Sequence, residues 1–171
     1  MYMLKILKYF MKLSNERFIA QMLKDAKKRC TYLGTTVLRD LEIDNYKYDI
    51  AIAVRELGLD KELVTQLVDD YVAQVIKAVV QFEDYLSVLQ DSQDNHHELD
   101  YTAFRDLAHK NLGVARNLRI KDAEILLYEL MHKDDLGYLL ACIEALKVCA
   151  IKLRPECAYN TLKLIKVKSS L

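Results

Sequence analysis

Apolar residues recur along most of the chain at alternating steps of three and four, so the predicted elements are helices. The longest spans residues 61–90, where Val64, Val68, Tyr71, Val75, Ala78, Phe82, Tyr85 and Leu89 make a seam of the antiparallel-bundle kind. A short helix over 46–57 precedes it and ends at Gly58, a residue suited to a left-handed C-terminal cap. Asp60 is placed to cap the long helix through its carboxylate. The polar stretch 91–98 reads as a loop, and Asp100 caps a helix running to about residue 118. Further helices cover 121–132 and 136–153, the second with Leu139, Ile143, Leu146, Ala150 and Leu153 on one seam. Pro155 ends it, and the basic tail 163–171 frays. Upstream, a helix over 15–33 stops near Gly34, and 35–44 reads as a linker. The expectation is an all-α protein in three parts: an N-terminal helical extension and linker (1–44), an antiparallel up-down four-helix bundle (45–155) and a C-terminal tail (156–171).

Composition narrows the function classes. Four glycines and one proline argue against a loop-rich β fold and leave little material for a glycine-rich phosphate loop. Lys+Arg and Asp+Glu both number 25, so no global basic field draws the chain to nucleic acid. The basic run Lys24, Lys27, Lys28 and Arg29 reads as a solvated helix face. Cys30, Cys142, Cys149 and Cys157 contain no Cys-x-x-Cys, and their apolar neighbours favour buried, reduced thiols and a cytoplasmic setting. Lys5, Lys8 and Lys12 interrupt the apolar start of the chain, so residues 1–13 predict an amphipathic helix. Such a helix packs on the body, self-associates or lies on a membrane surface. No apolar run is long enough for a transmembrane segment. Adjacent His96 and His97 in a polar loop do not make converging metal ligands, and His132, near a helix C-terminus, reads as a capping residue. No nucleophile–base–orienter set is recognisable, and no cofactor or metal is expected.

The helix over 101–118 carries the candidate chemistry. On a wheel of about 100° per residue, Phe104, Leu107, Ala108, Ala115 and Leu118 gather on one side, with Tyr101 and Val114 at the margins. Asn111 falls among them and needs a polar partner. His109 lies roughly 140° from the middle of that face, among Thr102, Arg105, Asp106 and Arg116. Gly113, one turn beyond His109 on the outward side, costs about 1 kcal/mol relative to alanine in a helix. Deleting a side chain there exposes the imidazole to close approach by another molecule. Arg105 and Arg116 bracket the pair with guanidinium groups suited to holding an anion. An exposed histidine, a gap and flanking cations together point to a phosphoryl acceptor.

The run Ala108-His-Lys-Asn-Leu-Gly-Val-Ala-Arg-Asn-Leu-Arg-Ile120 resembles the signature of histidine-containing phosphotransfer (HPt) domains, roughly Ala-His-x-x-Lys-Gly-x-Ala-x-x-Leu-Gly. His109, Gly113, Ala115 and Leu118 match it, and a looser likeness runs through residues 46–153. Leu112 stands where the family has lysine, and Arg119 where it has the later glycine. The resemblance implies a non-enzymatic phosphocarrier in a two-component phosphorelay. Its partner would be a response-regulator receiver domain or a hybrid histidine kinase, and His109 would accept and donate the phosphoryl group. Arg105, Arg116 and Lys110 then offset phosphate charge in place of the missing lysine, the two arginines being better placed than Lys110. Gly113 gives clearance, while Leu107 and Leu112 offer apolar contact for docking. The alternative is a helical adaptor that binds such a partner without being phosphorylated.

Overall fold

The computed structural model describes residues 2–171, so Met1 of the N-terminal stretch lies outside the described residues. The described chain is all-α, with seven helices: α1 (Tyr2–Thr35), α2 (Ile50–Leu57), α3 (Lys61–Asp94), α4 (Thr102–Asn117), α5 (Lys121–His132), α6 (Leu136–Leu153) and α7 (Pro155–Ser169). Among the described residues there is no strand, and no helix is long and apolar enough to cross a membrane.

The local stop signals operate as their chemistry predicts. Gly58 takes the left-handed conformation at φ 64°, and Asp60 accepts a hydrogen bond from the Leu63 amide at 2.8 Å. Helix α4 has Tyr101 rather than the expected Asp100 at its N-cap. The Asp100 carboxylate instead accepts from the Thr102 amide at 2.9 Å, and hydrogen bonding from the Thr102 side chain and amide holds its pKa below the usual carboxylate range. Helix α3 runs past the expected loop start and ends at Asp94. There His96 adopts φ 57° and the His97 amide reaches back to the Ser92 carbonyl at 2.8 Å, a 6→1 closure.

Packing positions the body. Helix α3 lies against α4 and α6, α4 against α5, and α5 against α6, so these four close a ring of contacts. One continuous core fills it, including Val75, Phe82, Phe104, Leu126, Leu139 and Ile143. Phe82 and Phe104 meet edge to face at 5.1 Å. The α3 seam follows the expected positions except Tyr85, which is exposed; Leu86 is buried instead.

Three expectations outside this ring need correction. Residues 1–13 and 15–33 read as separate helices in the sequence, yet the described residues form one continuous helix α1, and residues 3–12 are all exposed. Only the later turns dock, burying Ala26, Cys30 and Leu33 against α6. The expected linker 35–44 is a packed segment with a 3-10 turn (Arg39–Leu41), and Leu38 and Ile43 enter the core. Asp44 folds back over Gly34 so closely that a Cβ there would sit 2.7 Å from the Asp44 Cβ. Finally, the tail is helical to Ser169. Pro155 both ends α6 and opens α7, because its missing N–H is unneeded in a first turn. Helix α7 packs on α3 and α6 through Ala158 and Thr161.

Candidate functional site

The site is the outward ridge of α4. Its inward arc buries Phe104, Ala108, Asn111, Leu112 and Ala115, with Leu118 at the C-terminal cap. The polar member of that arc is satisfied: Gln74 of α3 donates its Nε2–H to Asn111 Oδ1 at 3.0 Å, and Asn111 Nδ2 donates to the Leu107 carbonyl at 2.9 Å. His109, on the opposite side, is exposed. Gly113 is exposed too, and a Cβ built on it meets nothing within 4 Å. No neighbouring helix therefore requires a glycine at that position.

The expected docking role of Leu112 does not hold, because the side chain is 3% exposed. At about 100° per residue it sits nearer the centre of the buried arc than His109 does, and the core claims it. Leu107 is half-buried. It lines a groove of about 410 Å³ between α3 and α4 with Lys110, Gln74, Asp70 and Lys77.

The two arginines are present but occupied. Arg105 stacks on the Tyr101 ring at 4.8 Å and pairs with Asp134 in the α5–α6 connection. Tyr101 also donates its hydroxyl to the Asp134 carbonyl at 2.8 Å, so Arg105 ties the start of α4 to that connection. Its side chain leans toward the helix N-terminus, as side chains on a helix do, and so leads away from His109. Arg116 leans back toward Gly113 on the same rule, and its Nε–H donates to Glu124 of α5 at 3.1 Å. Lys110 is exposed at the mouth of the α3–α4 groove.

Two further residues were not legible in the α4 motif. Ile125 and Tyr128 of α5 are 37% and 48% exposed, and with Arg116 and Glu124 they line a groove of about 270 Å³ on the other flank of α4. The available signal was their position off the α5 core stripe of Ala123, Leu126, Leu127 and Leu130.

The end of α4 is closed by an unusual residue. Arg119 takes φ 61°, its amide bonds the Arg116 carbonyl at 3.1 Å, and the Ile120 amide reaches the Ala115 carbonyl at 3.0 Å. These two bonds are those of a Schellman motif, in which glycine is the usual residue at the left-handed position. The Arg119 guanidinium pairs with Glu56 of α2 and holds that carboxyl below the ordinary range. Elsewhere, His132 Nδ1 sits 2.8 Å from the Tyr128 carbonyl, in the last turn of α5 as expected, and His96 and His97 are exposed in their connection.

The chain matches no family model, no curated protein and no solved structure.

Proposed function

We propose that this chain is a histidine phosphocarrier of the HPt type, with His109 passing phosphoryl groups to and from receiver-domain aspartates. One observation carries the reading. An exposed imidazole stands one turn from a mid-helix glycine whose missing side chain serves no contact within the fold. Glycine there costs about 1 kcal/mol of helix stability, which clearance for a second molecule explains. The ring of contacts among α3, α4, α5 and α6 supports an HPt-like antiparallel four-helix bundle. So does the left-handed residue at the position where the family pattern has glycine.

In this reading an imidazole nitrogen of His109 attacks the phosphorus of the receiver's acyl phosphate. The P–N bond forms, the P–O bond to the aspartate breaks, and the carboxylate leaves. In-line transfer of this kind depends on positioning and charge stabilisation, which the receiver site mainly supplies. Arg116 and Lys110 are the nearer sources of positive charge in this chain, Arg116 after exchanging Glu124 for phosphate oxygens. Leu107, Ile125 and Tyr128 offer apolar contact on either side of the ridge. We place the carrier in the cytoplasm, where such relays run.

The pairing of both arginines with carboxylates favours the second reading, an adaptor that docks a receiver or kinase without accepting phosphate. One experiment separates them. The protein and His109→Gln are incubated with isolated receiver domains charged from labelled acetyl phosphate. Acid-labile, base-stable label on the wild type alone supports the carrier. Equal binding of both proteins with no label supports the adaptor, and absence of both label and binding removes either role toward those receivers.

A further inference from the structure

A large cavity lies away from His109, where α1, α3, α5 and α6 meet. It encloses about 690 Å³, with Tyr46, Tyr48 and Lys61 on its walls and Asp122, Cys149 and Lys152 among its lining. Just behind Cys149, Cys30 of α1 approaches with its Sγ 4.0 Å from the Cys149 Sγ. The two residues are 119 positions apart in the chain, and both are buried. Lys152 Nζ donates to Cys30 Sγ at 3.3 Å, so one sulfur of the pair has a cation against it.

We infer that Cys30 and Cys149 form a peroxide-responsive dithiol that closes to a disulfide and fastens α1 to α6. Both sulfurs are already in van der Waals contact, and closure to the roughly 2.05 Å of a disulfide is within reach of small side-chain rotations. The charge pattern suits the chemistry. The bond from the Cys149 thiol and the nearby Lys152 ammonium lower the Cys30 thiol to about 6. The same S–H bond and burial push Cys149 up, and burial raises the Asp122 carboxyl beside it. The pair is thereby biased toward a thiolate on Cys30, and a thiolate is the reactive form.

Hydrogen peroxide, small and uncharged, is the oxidant class we assign to the pair. The Cys30 thiolate, held against the cavity-lining Lys152, attacks one peroxide oxygen. The S–O bond forms, the O–O bond breaks and hydroxide leaves. Cys149 then attacks the sulfenic sulfur of Cys30. The S–S bond forms, the S–O bond breaks, and the departing hydroxide takes the Cys149 proton to leave as water. One thiolate, one thiol and one peroxide thus give one disulfide, one water and one hydroxide, with two electrons passing from sulfur to oxygen.

The test uses the full chain. The protein is treated with stoichiometric hydrogen peroxide, alkylated under denaturing conditions, digested and analysed by mass spectrometry. The expected product joins the Cys30 and Cys149 peptides, with two of the four thiols lost and both recovered by dithiothreitol. Because closure cross-links a long loop, the melting temperature rises by roughly 10 °C. Lys152→Met keeps the pair but slows closure by roughly tenfold at neutral pH, through the smaller thiolate fraction. The inference is overturned if both cysteines stay fully alkylated after peroxide. It also fails if oxidation ends on Cys157, or stops as sulfinic acid on Cys30 with Cys149 free. An unchanged rate in Lys152→Met removes the lysine from the device.

Discussion

Gln74 on α3 and Asn111 on α4 share a hydrogen bond of 3.0 Å at the edge of an otherwise apolar contact. That bond, together with the buried Phe104, Ala108, Leu112 and Ala115, keeps one face of α4 turned to the core. Asn111 is held inward, and His109, two residues earlier and about 200° round the helix, is thereby held outward.

Replacing Asn111 with alanine leaves the Gln74 amide without its partner, and a half-buried orphan of this kind costs about 1–3 kcal/mol. Urea unfolding of Asn111→Ala, Gln74→Ala and the double variant closes a thermodynamic cycle. We expect a coupling of about 1 kcal/mol. Strict additivity would show that the bond does not orient the helix.

Gly113→Ala separates fold from function. The added methyl meets nothing within 4 Å, so the variant gains helix propensity worth about 1 kcal/mol and melts roughly 2–4 °C higher. If His109 is the proposed phosphoryl acceptor, its labelling falls at the same time, and Gly113→Leu abolishes it. A more stable protein with undiminished labelling would remove the clearance role.

At Arg119 the backbone term and the ion pair are separable. Arg119→Ala and Arg119→Gly both delete the contact with Glu56, but only glycine relieves the left-handed strain. The glycine variant should therefore exceed the alanine variant by about 1 kcal/mol in chemical denaturation. The ion pair has its own pH signature. Arg119 lowers the Glu56 carboxyl from its reference value of 4.5, so its stabilisation is present above that value and lost as pH falls through the depressed one. The stability gap between wild type and Arg119→Ala should narrow on acidification over that window. A gap independent of pH would assign the whole loss to something other than the ion pair.

Glu124 holds Arg116 beside the candidate site and is also approached by Lys121 at 3.3 Å. Glu124→Gln releases the guanidinium at little cost in stability, since partly exposed pairs contribute about 0–1 kcal/mol. If Arg116 steadies the phosphoryl group, labelling of His109 accelerates several-fold in Glu124→Gln and slows in Arg116→Ala. Equal rates in all three proteins would leave Lys110 as the source of positive charge in this chain.

The helices of the body were legible because apolar spacing and stop residues act locally. α5 and α6 have the extents expected from 121–132 and 136–153, and Gly58 and Asp60 terminate and cap as their chemistry requires. The outward setting of His109 and the inward setting of Asn111 also followed from angular position on a single helix. Leu112 did not, because it lies on the flank of the buried arc, and the depth of the surrounding packing decides which side such a residue takes.

What the sequence determined by itself is the all-α class, the residue that ends or caps most helices, and the placing of an imidazole and a gap on one exposed ridge. Each depends on neighbours within a turn or two. The tertiary structure alone decided that Arg105 and Arg116 are already paired with Asp134 and Glu124, and that Tyr128 and Ile125 flank the ridge. It also brought Cys30 against Cys149. Those relationships join different elements of the chain, and no periodicity along one helix records which side chain of another will meet it.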